Sequence, residues 1–189
     1  MADHYNHYPL KHFAATVAGC MDMTLPEPFA PPVDWVCQIL KERLGGSADR
    51  AVLYHADAVG LYMWQKYPHL FAPVHMHTSL TLPFVSTVES FTPVAHASMY
   101  TGMDPEGHGI LTYARPQLTC ATLFDELIKM GKRPAILATD GTIQTGLEVD
   151  DVLLVYIIFD DVVIQAVLQA CGTVFFCSEG FVCPLCGSA

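Results

Sequence analysis

A threonine–proline pair at the start of a helix is the feature of this sequence that could carry chemistry. It lies in residues 87–110, TVESFTPVAHASMYTGMDPEGHGI, where Thr92 precedes Pro93, and proline is typical of the first turn of a helix. A hydroxyl at this place lies near backbone N–H groups and the positive end of the helix dipole, which suits an anion such as phosphate. If a metal lowered its pKa, the Thr92 hydroxyl could act as a nucleophile. The alternative is that Thr92 only caps the helix.

The spacing of further residues in this segment resembles the nucleophile segment of the alkaline phosphatase superfamily, in particular its nucleotide pyrophosphatase/phosphodiesterase-like branch. There a nucleophilic Thr or Ser lies nine residues before the Thr of a Thr-Gly pair, and a Pro-Glu-x-His-Gly-Ile-like turn follows. Here Thr92 lies nine residues before Thr101, and residues 105–110 read PEGHGI. Sulfatases share this spacing but place Cys or Ser before the proline, so Thr92 favours the phosphodiesterase-like branch.

The same resemblance assigns a metal ligand and an activity. The family places a metal-binding Asp just after its first strand, and Asp57 follows the apolar run AVLYH at residues 51–55. By resemblance, Asp57 and Thr92 would ligate one ion of a two-metal site that usually holds zinc, with manganese as the alternative divalent metal. Thr92 would attack the phosphorus of a small phosphate ester, and water activated by the second ion would hydrolyse the phosphothreonine. The resemblance thus implies a metal-dependent phosphodiester or phosphomonoester hydrolase, in which His96 and His108 position the loop or pack.

The second metal site of the family has no evident counterpart in this sequence. Its remaining ligands come from a later Asp-x-x-x-His motif, an Asp-His pair and a final His, whereas all nine histidines here lie between His4 and His108. His75 and His77 are two residues apart, so on a strand their side chains would lie on the same face and could serve as a substitute ligand pair. The sequence therefore predicts an incomplete active site on an apparently truncated family fold. The alternative function is a catalytically silent fragment or an interaction module of the same fold.

Seven cysteines fall into two groups. Cys20, Cys37 and Cys120 stand in apolar contexts and are predicted to be buried thiols. The other four, which include a CxxC and could hold a structural zinc ion, are Cys171, Cys177, Cys183 and Cys186. The alternative is that this tail is not family sequence. Residues 1–12 lack a secretory signal pattern, so we expect a reducing, cytoplasmic setting.

The elements that would position these residues alternate between helices and short apolar strands. Helices are predicted at residues 9–19, 33–44, 58–67, 93–101, 123–130 and 161–170, and strands at 51–55, 78–85, 134–138, 152–158 and 173–176. This alternation predicts an α/β fold, a mainly parallel sheet with helices on both faces, and the resemblance makes it alkaline-phosphatase-like. In such folds chemistry gathers at the carboxyl ends of strands, where Asp57 and Asp140 fall. We expect an N-terminal segment, residues 1–31, which holds the first helix and a Pro-rich linker that begins at Leu25, followed by a partial α/β domain, residues 32–189, with an atypical tail at 171–189.

Composition excludes several classes of partner. Apolar residues make up 52% of the chain and charged residues 15%, and the net charge is −10 with only nine Lys and Arg. A protein that binds nucleic-acid phosphates needs clustered cations, so nucleic acid is not an expected partner. The most membrane-like stretch, residues 152–177, is interrupted by Asp160 and Asp161, which favours buried soluble elements over a membrane span. The expected partners are a small phosphate ester and, through an unpaired sheet edge, further copies of the chain as a homo-oligomer.

Overall fold

A four-stranded parallel sheet runs through the computed structural model, which describes residues 8–56, 59–76, 78, 80–113, 116–137, 154–158 and 174–178. Its strands are β1 (Ala51–Ala56), β2 (Pro134–Leu137), β3 (Leu154–Ile158) and β4 (Val174–Ser178). They lie in the order β2-β3-β1-β4, and each pairing is parallel. The carboxyl end of β1 therefore lies between two neighbouring strands, with His55 in register with Ile158 and Cys177.

The described helices come before β1 and between β1 and β2 along the chain, and local residue types explain where several of them begin or end. In chain order they are a 3-10 turn (Leu10–His12), α1 (Phe13–Cys20), α2 (Asp34–Leu44), α3 (Leu61–Lys66), α4 (Ala72–His75), α5 (Thr92–Thr101), α6 (Pro105–His108) and α7 (Leu123–Lys129). Helix α2 ends where Gly45 adopts a left-handed φ of 72°. Helix α7 begins at a capping box, in which Thr122 and Asp125 each accept a backbone N–H from the other.

The strand predicted at residues 78–85 is wrong. Residues 80–85 contain no strand, and Val85 makes only one isolated parallel bridge, with Pro9. Pro83 has no N–H to donate to a ladder, which explains why longer pairing fails here. The suggestion that His75 and His77 share one face of a strand is also wrong, because His75 is the last residue of helix α4; His77 lies outside the described residues.

The hydrophobic core draws on both of the predicted segments. Side chains of one buried cluster come from the N-terminal turn and α1, from β1, from α5 and from α7, and include Leu10, Phe13, Val17, Leu53, Met99 and Leu123. Each of these is at most 4% exposed. The predicted boundary at residue 31 therefore runs between stretches of chain that share one core.

The class predicted from the sequence stays a prediction. The helix expected at residues 161–170 and the residue Asp140 lie outside the described residues, so the covering of both sheet faces and the alkaline-phosphatase-like topology are untested. Within the ranges that the structure describes, no helix has the length and apolar character needed to cross a bilayer.

Candidate functional site

Thr92 is the first residue of α5, and it does not cap that helix. The capping position belongs to Phe91, in extended conformation, and no side chain makes a capping bond there. Fewer backbone N–H groups are available to an anion at this end of α5 than the sequence indicates. Pro93 has no N–H, and Val94 donates its N–H to the Phe91 carbonyl at 3.0 Å. The Thr92 side chain is half-buried. Its hydroxyl is thus not committed to helix capping, which was the alternative role for this residue.

The carboxyl end of β1 packs against α5 through a histidine–tyrosine contact. The Tyr100 hydroxyl lies 3.1 Å from Nε2 of His55, and the two rings stack with centroids 5.7 Å apart. The ring of His96 lies 5.5 Å from that of His55. Phe13 of α1 also packs against the His55 ring, edge to face, with ring centroids 5.8 Å apart. Together these rings join β1, α5 and α1 at one place.

This contact defines which face of α5 looks toward the end of β1. Residues four apart on a helix lie on the same face, so Thr92, His96 and Tyr100 form one stripe along α5. Because two of the three contact His55, the third extends the stripe by one turn toward the helix start. Thr92 therefore lies on the face of α5 that packs toward the carboxyl end of β1.

Burial makes His55 an uncharged member of this contact. Its side chain is 3% exposed, and desolvation, reinforced by repulsion from a positive charge on His96, holds the pKa of His55 well below its usual value. At neutral pH His55 thus adds no positive charge beside α5. It acts there as a packed, hydrogen-bonded ring.

His108 stabilises the turn that follows α5 through two hydrogen bonds, and this arrangement does not suit a general base. It is 5% exposed, and burial lowers its pKa, although Glu106 and Asp104 partly offset that shift. The Ile110 N–H donates to Nδ1 at 3.2 Å, so the proton of the neutral ring sits on Nε2, which donates to Oγ of Ser98 at 3.0 Å. These bonds confirm the prediction that His108 packs. They also mean that His108 cannot take a proton from Ser98.

Replacing Ser98 by alanine should destabilise the fold by about 1–3 kcal/mol. Ser98 is 1% exposed, and the change would leave the buried Nε2–H of His108 without its acceptor. Thr112→Ala is the control, because that exposed side chain should change the free energy of unfolding by less than about 0.5 kcal/mol. Urea denaturation measures both, and equal costs would show that the Ser98–His108 bond contributes nothing.

The Thr-Gly pair ends α5 with two different contacts. Thr101 is fully buried, and its hydroxyl donates to the Ala97 carbonyl at 2.7 Å. Gly102 adopts a φ of 67° and accepts a hydrogen bond from the N–H of Ala30 at 3.0 Å. The Pro-rich stretch predicted as a linker therefore crosses the end of α5 here, and it holds this helix in place from outside.

The predicted metal ligands are only partly within the described residues. Thr92 is described, whereas Asp57 lies outside the described residues, as do Cys171, Cys183 and Cys186 of the tail; Cys177 is placed in β4. Among the described residues, no group of three or more His, Cys, Asp or Glu side chains is arranged to hold a metal ion. The distance between Thr92 and Asp57, on which the two-ligand prediction depends, is therefore untested.

Sequence reasoning missed two members of the site. His55 ends an apolar run that reads as an ordinary buried strand, and Tyr100 reads as one more apolar position of α5. The available signal was the i, i+4 spacing of His96 and Tyr100, which predicts a shared face but not what that face contacts. Comparison with known proteins adds nothing to this geometry: no protein-family model, no curated protein and no solved structure matches the chain.

Proposed function

We propose that this chain is a metal-dependent phosphoric ester hydrolase in which the Thr92 hydroxyl is the nucleophile. The observation that carries the proposal is the position of Thr92 on the stripe of α5 whose other members, His96 and Tyr100, contact His55 at the carboxyl end of β1. Carboxyl ends of parallel strands are where α/β folds gather their chemistry. Asp57, the proposed metal ligand, follows His55 by two residues.

The proposed reaction exchanges one phosphorus–oxygen bond for another. Oγ1 of Thr92 bonds to phosphorus, the bond from phosphorus to the leaving oxygen breaks, and water later cleaves the phosphothreonine to restore the hydroxyl. A divalent cation held by Asp57 and Thr92, zinc or manganese, would lower the pKa of that hydroxyl when bound. The half-buried position of Thr92 supports this role, because its side chain is reachable at one end of a packed helix.

Thr92→Ala should reduce hydrolysis to the background rate. The assay is release of p-nitrophenol from p-nitrophenyl phosphate and from its bis-ester, with added zinc or manganese. Ser90→Ala is the matched control, because Ser90 lies two residues earlier and donates its hydroxyl to the Thr87 carbonyl at 2.8 Å, so it should keep activity. Equal loss in both variants would reject Thr92 as the nucleophile.

The second candidate is a catalytically silent or interaction module. It is favoured by residues 109–189, which contain no histidine although the resemblance places the remaining metal ligands after the nucleophile segment. Metal analysis of the purified protein separates the candidates. Two tightly bound ions per chain support the hydrolase, and none, together with no ester hydrolysis, supports the silent module.

The setting that goes with this function is a reducing, cytoplasmic one, with copies of the chain associating as a homo-oligomer. Free thiols at Cys20, Cys37 and Cys120 support the first part. The second part is supported by β2 and β4, which end the sheet among the described strands and present edges for pairing. Light scattering on a sizing column would give the mass of the particle, and the mass of one chain would reject association.

A further inference from the structure

Two cysteine thiols meet where α1 packs against α2. Cys20 is the last residue of α1 and 1% exposed, and Cys37 lies in the first turn of α2 and is 7% exposed. The two thiols share a side-chain hydrogen bond, and Sγ of Cys37 also donates to the Thr16 carbonyl at 3.5 Å. Because Thr16 precedes Cys20 by one helical turn, the sulfur of Cys37 lies along the last turn of α1.

A glycine in α1 makes room for this approach. A Cβ atom at Gly19 would lie 2.9 Å from Sγ of Cys37, which is closer than real Cβ contacts allow. The absence of that atom lets the sulfur of Cys37 settle against the helix backbone beside Cys20. A disulfide bond requires the two sulfurs to approach to about 2.05 Å, and the sulfur of Cys37 already lies against the turn of α1 that ends at Cys20.

The surrounding charges distinguish the two thiols. The hydrogen bond from Cys20 lowers the pKa of Cys37 and outweighs the opposing effect of burial, and the Lys41 ammonium, one turn further along α2, acts in the same direction as the hydrogen bond. The pKa of Cys20 is raised, first by that same hydrogen bond and then by burial. Asp34 opposes the effect on Cys37, and Asp22 forms an ion pair with Lys41. Of the two thiols, Cys37 is therefore the one that ionises more readily; on ionising it gives up its bond to the Thr16 carbonyl and keeps Cys20 as its hydrogen-bond donor.

We propose that Cys20 and Cys37 form a reversible oxidation site, at which a small peroxide converts the two thiols to a disulfide that joins α1 to α2. The Cys37 thiolate attacks one oxygen of hydrogen peroxide and becomes a sulfenic acid as hydroxide leaves. Cys20 then attacks that sulfur, the sulfur–oxygen bond breaks, and its proton leaves with the oxygen as water. In total two thiols and one peroxide give one disulfide and two waters, and a dithiol reductant reverses the change.

The proposed disulfide would join a surface helix, α2, to a helix of the hydrophobic core, α1. Helix α2 lies at the surface, with exposed side chains over most of its outer face, so its local opening can admit a molecule as small as peroxide. Helix α1 contributes Phe13, Ala14 and Val17 to the core that also contains Ala95 and Met99 of α5. The disulfide would therefore fix the helix that supports the base of the candidate site. The proposal does not depend on the hydrolase function.

The test is peptide mapping of the folded full-length chain after treatment with hydrogen peroxide. Remaining thiols are blocked by alkylation, and the protein is digested without reduction. We expect one linked peptide pair containing Cys20 and Cys37, lighter by two hydrogens, and its loss on adding dithiothreitol. The oxidised chain should melt about 5–10 °C higher than the reduced chain, because the bond closes a loop in the unfolded state.

Three controls decide the outcome. Cys120→Ser, which changes a half-buried thiol outside the pair, should keep the linked peptide, and Cys37→Ser should lose it. Oxidation in concentrated urea should replace the specific pair by mixed pairings among the seven cysteines. The proposal is overturned if the folded wild-type chain oxidises at other cysteines while Cys20 and Cys37 stay alkylated as separate thiols.

Discussion

Gly102→Ala should lower the free energy of unfolding of this protein by about 3 kcal/mol or more, which exceeds the usual cost of replacing a helix-ending glycine by alanine. The added Cβ would lie 2.8 Å from Cδ1 of Phe29, 3.0 Å from its Cα and 3.2 Å from the backbone nitrogen of Ala30. Two of these three atoms belong to the backbone and cannot turn away as a side chain can. The backbone at Phe29 and Ala30 would have to move away from the new Cβ, and that movement would weaken the hydrogen bond from the Ala30 N–H to the Gly102 carbonyl.

Gly109→Ala separates crowding from backbone strain. Gly109 has a φ of 79°, in the same left-handed region as the 67° of Gly102, but a Cβ there would meet no atom within 4 Å. We therefore expect about 1–2 kcal/mol for Gly109→Ala, which is the cost of the conformation alone. Urea denaturation of the two variants measures the difference. If both cost the same, the chain around Phe29 yields freely and does not hold the end of α5.

The ends of helices could be predicted from the sequence because their signals are local. Gly45 and Gly102 adopt the left-handed conformations that end α2 and α5, and Thr122 with Asp125 forms the capping box that begins α7. Each signal depends on residues within one turn of the helix end, so no knowledge of packing is needed. The difference at residues 78–85 is local too, because the apolar pattern there favours a strand while Pro83 has no N–H for the ladder.

The surroundings of the candidate site could not be predicted, because they depend on contacts between distant stretches of chain. His55 and Tyr100 are 45 residues apart, and nothing in either local sequence says that they meet. Gly102 ends α5, as glycine commonly ends helices, but its crowding against Phe29 arises from how the Pro-rich stretch crosses α5. Likewise, the sequence left Thr92 with two roles, a cap of α5 or a nucleophile. The capping role is removed because α5 begins at Thr92, which makes Phe91 the capping residue.

Acidification should destabilise the protein below about pH 6.5, because two histidines are held uncharged in the fold. Burial lowers the pKa of both His55 and His108 below the ordinary imidazole value of 6.5. As pH falls through that value, the unfolded chain takes up protons that the native chain does not, so the free energy of unfolding falls. The loss continues down to the native pKa of each ring. The slope cannot exceed about 1.36 kcal/mol per pH unit for each histidine, or about 2.7 for both, because each ring takes up at most one proton.

Urea denaturation at pH 7.5, 6.5 and 5.5, with a chelator present throughout, measures this slope. His108→Gln should reduce the slope, because glutamine keeps hydrogen-bonding groups but takes up no proton in this range. His69→Gln is the control for replacing a histidine by glutamine, because this side chain is exposed and not buried. An unchanged slope in His108→Gln would mean that the ring charges within the fold. In that case its bond to Ser98 would survive protonation, since Nε2 donates in both forms, and the cost would fall on the bond from the Ile110 N–H, which a protonated Nδ1 can no longer accept.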